Sequence, residues 1–464
     1  MKTIAVLGAG ITGLAVAWKL SEAGYKVHII EKDDKIGGMS ASINLYGSVL
    51  DLGPHKIYSR LPVLQDVKEL LKDDLQVIPK YSRIRLFGKY FDYPLKLSEL
   101  ALNVNPVITA GIGMSYLWAA VKKTINTSED KNYGDYMVNR FGHKLYNHVF
   151  KPYAEKAWDS PSKLDASLAK SRIVLPSLYE VIKGMLLGGK KGKELHAEQF
   201  YYPPKGIALV SGRMLEKSKA CGGKLHLNAK IEKINLKNNK AVSIIFTDEK
   251  KQKRTIKTDY IVSTIPMQTL ALLLPDMPKP VMGSVNSLKG RSLDLLYIDV
   301  KRDRLFRDNW IFFPEKKYIF NRISEQKGFS EQTVPKGKTV LCVEITSPEK
   351  EKYTDIELFG LAVNQLEECG ILTKAQIARH KFVHIENAYP IYSVGYKNKI
   401  MQFMTYIDGY GNILSIGRQG MFNYVGMIDC VDMGLKAAGF ISSGKGIAEW
   451  KKIREGFFNY ITID

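Results

Sequence analysis

The first thirty-two residues constrain the fold more than any other part of the chain. "TIAVL" (3–7) is a short, apolar, partly β-branched run of the kind that fills a buried parallel strand. The glycine hexad "GAGITG" (8–13) follows with no spacer, and "ITGLAVAWKLSEAG" carries helical periodicity up to Gly24, a C-terminal cap. "KVHIIEK" (26–32) reads as a second strand. Strand, glycine turn, helix and strand in this order make a βαβ unit that holds a dinucleotide. Gly8 permits the tight turn, Gly10 lets the backbone approach a pyrophosphate, and Gly13 lets the helix pack on the strand. The helix start at Ile11 and Thr12 offers N–H groups and a partial positive charge to phosphates. Glu31 stands about twenty residues beyond the loop, where a carboxylate accepts from ribose hydroxyls, with Lys32 next to it.

The nature of the dinucleotide is read further along. "KDDKIGGMSASI" (32–43) carries a second glycine turn, Gly37-Gly38, followed by Met39 and Ser40. Such a turn brings another backbone segment to the pyrophosphate and ribityl chain, where chains that bind only NAD continue with a plain helix. "YGSVLDLGPHKIYS" (46–59) then rises as a hairpin into Gly53-Pro54-His55. With these segments the sequence resembles the flavin-dependent superfamily of amine oxidases, protoporphyrinogen oxidases and UDP-galactopyranose mutases. Other stretches are similar to it as well: "YYPPKGIALVSGRMLEK" (201–217), "GGKLHLNAKIEKINLKNNKAVSIIF" (222–246) with a turn at Asn238-Asn239, "DYIVSTIP" (259–266) and "GNILSIGRQGMFNYVGMIDCVDMGLKAA" (411–438).

The resemblance implies an α/β protein. It comprises a Rossmann-like FAD-binding domain of the glutathione-reductase type, amine-oxidase/mutase subgroup, with inserted helical and mixed antiparallel-sheet substrate regions. The FAD domain is expected to be discontinuous, from residues 1–60, 202–266 and 405–464. A mainly helical insert takes 61–201, and an α+β insert takes 267–404 with one long helix around 354–369. The resemblance implies FAD as cofactor, with Ile231 near the adenine and Gly417, Arg418, Met427 and Ile428 crossing the flavin ring. Asp429 is expected to cap the last of these helices.

Within that superfamily the chain most resembles the mutases. "NWIFFPEKKYIFNRISEQKGFS" (309–330) and "FKPYAEKAWDSPSKLDASLAKSRIVLP" (150–176) are similar to stretches that present arginines to a diphosphate, which match Arg322 and Arg172. "NAYPIYSVGY" (387–396) and the stretch at 417–429 are similar to those offering phenols, matching Tyr389 and Tyr424. His55 matches a histidine lying against the flavin. Guanidinium forks bind phosphate oxygens in pairs, and phenols donate without adding charge. The activity implied is a pyranose/furanose interconversion of a diphosphate sugar through N5 of reduced FAD, with NAD(P)H as an external reductant. Read singly, Arg172 and Arg322 also suit ion pairs, Tyr389 and Tyr424 suit half-buried aromatics, and His55 suits a capped loop. Trp158 of the mutase pattern is kept, but Ala154 stands for an asparagine, Leu95 or Lys96 for a glutamine, and Met427-Ile428 for a polar pair. Base recognition is therefore expected to differ from that of a uridine nucleotide enzyme.

Composition narrows the alternatives. A net charge of +21 in 464 residues suits an anionic substrate, a membrane surface, or simply a lysine-rich solvated surface. No nucleic-acid motif accompanies it. Four dispersed cysteines give neither a metal site nor a disulfide framework, which suits a reducing, cytoplasmic setting. The uncharged stretch 100–121 is long enough to span a bilayer. Two asparagines, a proline and two glycines dilute it, so a buried helix pair is expected, with membrane-surface contact left open. "LGGKKGKELHAEQ" (187–199) reads as a solvated loop or a lid over an anionic substrate. Two further readings remain beside the mutase. One is an oxidase of the amine-oxidase or protoporphyrinogen-oxidase type, in which Tyr389 and Tyr424 line the ring. The other is a Rab escort-type binding protein without flavin chemistry. The sequence leaves the oligomeric state open.

Overall fold

The computed structural model describes residues 1–95, 97–125, 129–172, 198–346 and 352–462. Lys96, nearly all of the 187–199 segment and the helical pattern at 176–190 lie outside them.

The opening βαβ unit forms as its sequence pattern dictates. Strand Thr3–Leu7 leads through the glycine turn into helix Ile11–Glu22, and strand Lys26–Ile30 returns parallel to the first. Gly24 ends the helix with φ 80°, its N–H donating to the Ser21 carbonyl. These two strands are the centre of a five-stranded sheet. Its order is Ile413–Ser415, Tyr260–Ser263, Thr3–Leu7, Lys26–Ile30 and Lys224–His226, and every pairing is parallel. The strands come from widely separated parts of the chain; the inner ones are short, apolar and largely buried, while the edge strand Lys224–His226 is polar and partly exposed. A three-stranded antiparallel meander, Lys230–Lys237, Lys240–Thr247 and Lys253–Lys257, stands beside it. Its first turn is at Asn238-Asn239, both with positive φ (50° and 55°), as a two-residue hairpin requires.

The second large sheet has seven strands. In order they are Ile377–Pro390, Gly290–Val300, Thr339–Thr346, Arg322–Glu325, Trp310–Phe312, Ser82–Leu86 and Lys89–Asp92. Its pairings are antiparallel except that of Trp310–Phe312 with Ser82–Leu86. The stretch 61–201 is thus not helical throughout: it contributes two strands to this sheet, and Gln76–Pro79 pairs with Gln199–Tyr202. The divisions expected at 201/202 and 404/405 fall inside strand Gln199–Tyr202 and helix Tyr396–Asp408. Helix Asp355–Glu368 covers one face of the seven-stranded sheet over a separate apolar core, and starts with a capping box between Thr354 and Glu357.

The 100–121 stretch folds as two consecutive helices, Leu97–Asn103 and Pro106–Ile125. They are not buried as a pair. The second packs on helix Tyr133–Leu145 along one side and exposes Val107, Met114, Leu117 and Trp118 on the other. Among the described residues no helix is long and apolar enough to cross a membrane.

Candidate active site

The two sheets face each other across one cavity of about 1570 Å³. A drug-sized ligand fills roughly 300–1,000 Å³, so this one has room for a dinucleotide and a second molecule. The nucleotide sheet supplies one end. Gly8, Gly10, Ile11 and Thr12 line it, as do Glu31, Lys32, Gly37, Gly38, Met39 and Ser40. Gly10 and Gly37 form a parallel bridge, and the Gly37 N–H donates to the Ala9 carbonyl at 2.8 Å, which clamps the two glycine turns together. Helix Ile11–Glu22 begins there with no side-chain cap and no acid in its first turn, so its leading N–H groups are free for an anion.

Two predicted cofactor residues do not touch the cavity. Gly13 is a packing position: a Cβ there would stand 2.1 Å from the Gly8 carbonyl oxygen. Gly417, with φ 82°, lies against Thr12. Ala229, Lys230 and Ile231 form the far wall of the cradle, and Gly53, Pro54 and His55 its floor. Glu31 is 8% exposed and accepts the N–H of Ala9 at 2.6 Å and of Asp33 at 3.1 Å. An ionised carboxylate has about four acceptor positions, which leaves capacity for ribose hydroxyls.

At the other end helix Met427–Ser443 starts at the cavity wall with Gly426, Met427, Ile428 and Asp429. Asp429 does not take the expected cap position. The cap lies three residues earlier, on Gly426, and Asp429 sits in the first turn of the helix, accepting the Gly426 N–H at 2.8 Å. Burial pushes its carboxyl up to about 6. Gly434 brings this helix onto the first one: a Cβ there would meet the Thr12 carbonyl oxygen at 2.7 Å. Two helix N-termini therefore open onto the same cavity. Among the described residues the lining carries nine lysines and arginines against six carboxylates, an excess of positive charge that suits anionic ligands. Uncapped turns, touching glycine loops and a buried acceptor at the second strand fit a dinucleotide of the FAD type.

The second wall gathers the other predicted residues. Arg322 opens strand Arg322–Glu325, in register with Glu344 on one side and Phe312 on the other. That register produces a forked ion pair, Nε to Glu344 Oε1 at 2.5 Å and an Nη to Oε2 at 3.0 Å. The Tyr389 hydroxyl donates to the same Oε2 at 3.0 Å. Burial works against the Arg322 charge, yet adjacent Glu344 holds its pKa well above the ordinary value. Burial, then the Glu344 charge, raise the Tyr389 phenol well above its usual range, so Tyr389 is a donor.

Tyr389 and Tyr424 lie 5.4 Å apart, centroid to centroid, at 41°. The guanidinium carbons of Arg172 and Arg418 stand 4.1 and 4.4 Å from the Tyr424 ring centre. Arg172 ends helix Ala166–Arg172, while Arg418 donates to the Val425 and Ala388 carbonyls. His55 is held by a 3.1 Å contact between Nδ1 and the Gly53 carbonyl, and burial lowers its pKa to about 4, so it is neutral. Trp158 packs edge-on to Tyr424 and Tyr153 outside the lining, and Ala154 is fully buried. Tyr153, Phe312 and Glu344 line the cavity too, and the sequence reading missed them. Glu344 had a signal: it is the one acid in the apolar strand "TVLCVEIT".

A glycine-lined cradle and a cationic, phenolic wall in one cavity are what a flavin-binding protein of this fold needs. The chain belongs to the flavin containing amine oxidoreductase family, whose model matches residues 11–439. It is similar to a 1-hydroxycarotenoid 3,4-desaturase of a Flavobacterium species, 23% identical over 371 residues, which cover 71% of this chain and 70% of that protein. Its fold is similar to that of reduced UDP-galactopyranose mutase, with a TM-score of 0.82 at 19% identity over 96% of this chain and 94% of the other. It is also similar to that of putrescine oxidase bound to putrescine, with a TM-score of 0.62 at 15% identity over 95% and 99%.

Proposed function

We propose that this flavoenzyme acts on a diphosphate sugar and interconverts its pyranose and furanose forms. The observation that carries the reading is the meeting of Arg172, Arg322, Tyr389 and Tyr424 in the cavity that also holds the dinucleotide cradle. When bound and reduced, the flavin supplies a nucleophilic ring nitrogen toward an anomeric carbon. The work of this chain's residues is to hold the leaving diphosphate. Arg172 and Arg322 bind its oxygens and stabilise the charge that develops on them. The two phenols donate to it without adding charge. Retention within reach of the sugar turns recapture into an effectively unimolecular step. Neutral His55 keeps the floor beside the cofactor free of charge. The altered positions Ala154 and Leu95 favour a head group other than uridine diphosphate.

The Arg322–Glu344 fork favours a second reading. Glu344 already neutralises one of the two guanidiniums, and the Tyr389–Tyr424 pair forms an aromatic wall, an arrangement that also serves an oxidoreductase with an uncharged substrate. The desaturase and oxidase similarities support that reading as the mutase fold supports the first.

One experiment separates them. Dithionite-reduced protein is incubated anaerobically with UDP-galactopyranose, UDP-galactofuranose and their lipid diphosphate counterparts, and the products are resolved chromatographically. Interconversion without net oxidation supports the mutase reading; its absence for every diphosphate sugar, with oxygen or quinone reduction by an uncharged substrate, overturns it. Arg172→Ala is expected to abolish turnover and leave a yellow protein.

A further inference from the structure

We propose that the outer face of helix Pro106–Ile125 docks the protein on an anionic lipid surface. This inference is independent of the reaction assigned above. Five large apolar side chains of this helix point outward: Val107, Met114, Leu117, Trp118 and Val121, each more than half exposed. Leu102, from the preceding short helix, is 86% exposed at the same end. The spacing places all five, with Ala110, inside one arc of about 100°. The stripe runs for about 21 Å at 1.5 Å per residue and carries no charge. A monomeric soluble surface scatters such residues singly, and a contiguous row marks an interaction site.

The inner face of the same helix is firmly held. Ile112 and Ala119 are buried, and the chain bends at Gly142 so closely that a Cβ there would meet the Ser115 carbonyl oxygen at 2.3 Å. The stripe is therefore presented on a fixed platform.

Charge selects the occupant. Exposed Lys122 follows the stripe on its own helix, and exposed Lys144 reaches from the neighbouring helix to within 3.3 Å of the Gly111 Cβ position. Lys89 is bonded to the Asn103 carbonyl beside Leu102. Exposed Asp92 and half-buried Glu99 sit at that end too, with Glu99 accepting the Asp92 N–H. A second copy would bring the same lysines together across a two-fold axis, on chains that each carry +21. An anionic leaflet neutralises them instead. Apolar residues with a tryptophan on one face and lysines at its border are what an interfacial helix needs, and no described helix is apolar enough to cross.

The test uses the full chain with its flavin, floated with vesicles of phosphatidylcholine alone or of phosphatidylcholine with phosphatidylglycerol. The expected result is co-flotation with the anionic vesicles only, weakened by salt. Leu117→Ser/Trp118→Ser is expected to weaken it roughly tenfold or more, with thermal midpoint and flavin content unchanged. A second readout needs no variant. The other four tryptophans, Trp18, Trp158, Trp310 and Trp450, are buried, so brominated lipid should quench Trp118 selectively. Absence of flotation, flotation that ignores lipid charge, or unquenched fluorescence in anionic vesicles overturns the proposal. So does light scattering that shows a dimer dissociated by the double variant, which would assign the face to a second copy.

Discussion

Two neighbouring glycines in the opening loop should fail in different ways when each is changed to alanine. Gly13 lies inside the helix, where alanine alone would gain about 1 kcal/mol in propensity. Its new Cβ, however, would stand 2.1 Å from the Gly8 carbonyl oxygen and 3.1 Å from Val6 Cγ1. It must retreat by about 0.9 Å to reach 3.0 Å, the shortest approach real side chains show. The obstacle is backbone, in a loop tied by the Gly8 N–H to the Ile30 carbonyl at 2.8 Å, so no side chain can yield in its place. Overpacking of this kind costs about 1–3 kcal/mol and outweighs the propensity gain. Gly13→Ala should therefore lower the melting temperature of the flavin-free protein and bind flavin poorly. Gly10 has an ordinary backbone (φ −70°, ψ 172°), and no atom lies within 4 Å of its Cβ position. Gly10→Ala should leave the flavin-free protein within about 0.5 kcal/mol of the parent. Yet Gly10 faces the cavity where a pyrophosphate needs the backbone, and a methyl there should weaken flavin binding by roughly tenfold to a hundredfold, about 1.4–2.8 kcal/mol. Thermal melts of flavin-free protein and fluorescence titration with FAD measure the two quantities separately. A Gly10→Ala protein that binds FAD like the parent would refute the assignment of this end of the cavity.

Three further outcomes follow from the same geometry. Arg322→Ala leaves Glu344, 2% exposed, without its cation and should cost about 3–5 kcal/mol in chemical denaturation, whereas Arg322→Met/Glu344→Leu should recover most of it; equal losses would mean that the pair is not coupled. Because burial lowers the His55 pKa from 6.5 to about 4, the unfolded chain binds the extra proton first as pH falls. Stability from this group should therefore be fully present above about pH 6.5 and lost progressively toward pH 4, and His55→Gln should flatten that part of a pH–melting curve. Gly142, at φ 75° and ψ 161°, occupies a region nearly closed to other residues, and Gly142→Ala adds a clash with Ser115; a loss of about 1–3 kcal/mol in thermal melts is expected.

Local signals carried the legible part of the molecule. The glycine hexad and the Asn238-Asn239 turn each encode their geometry within a few residues, and the parallel strands Thr3–Leu7 and Tyr260–Ser263 are short runs buried almost throughout. The predicted arginines and tyrosines do share one cavity, but what Arg322 touches was not readable. Its partner Glu344 is 22 positions away, and the two meet only because neighbouring strands pair in one register, a nonlocal choice. The exposed helix failed for a related reason. Apolar content announces burial only if a partner is assumed, and among the described residues helix Pro106–Ile125 packs against helix Tyr133–Leu145 along its inner side while Val107, Met114, Leu117 and Trp118 on its outer side are exposed. Its outer side carries the residue types of a core in exposed positions. A chain that carries +21 and still leaves Trp118 in water has an unmet surface requirement, and the lysines at its margin indicate the sign of the charge that would meet it.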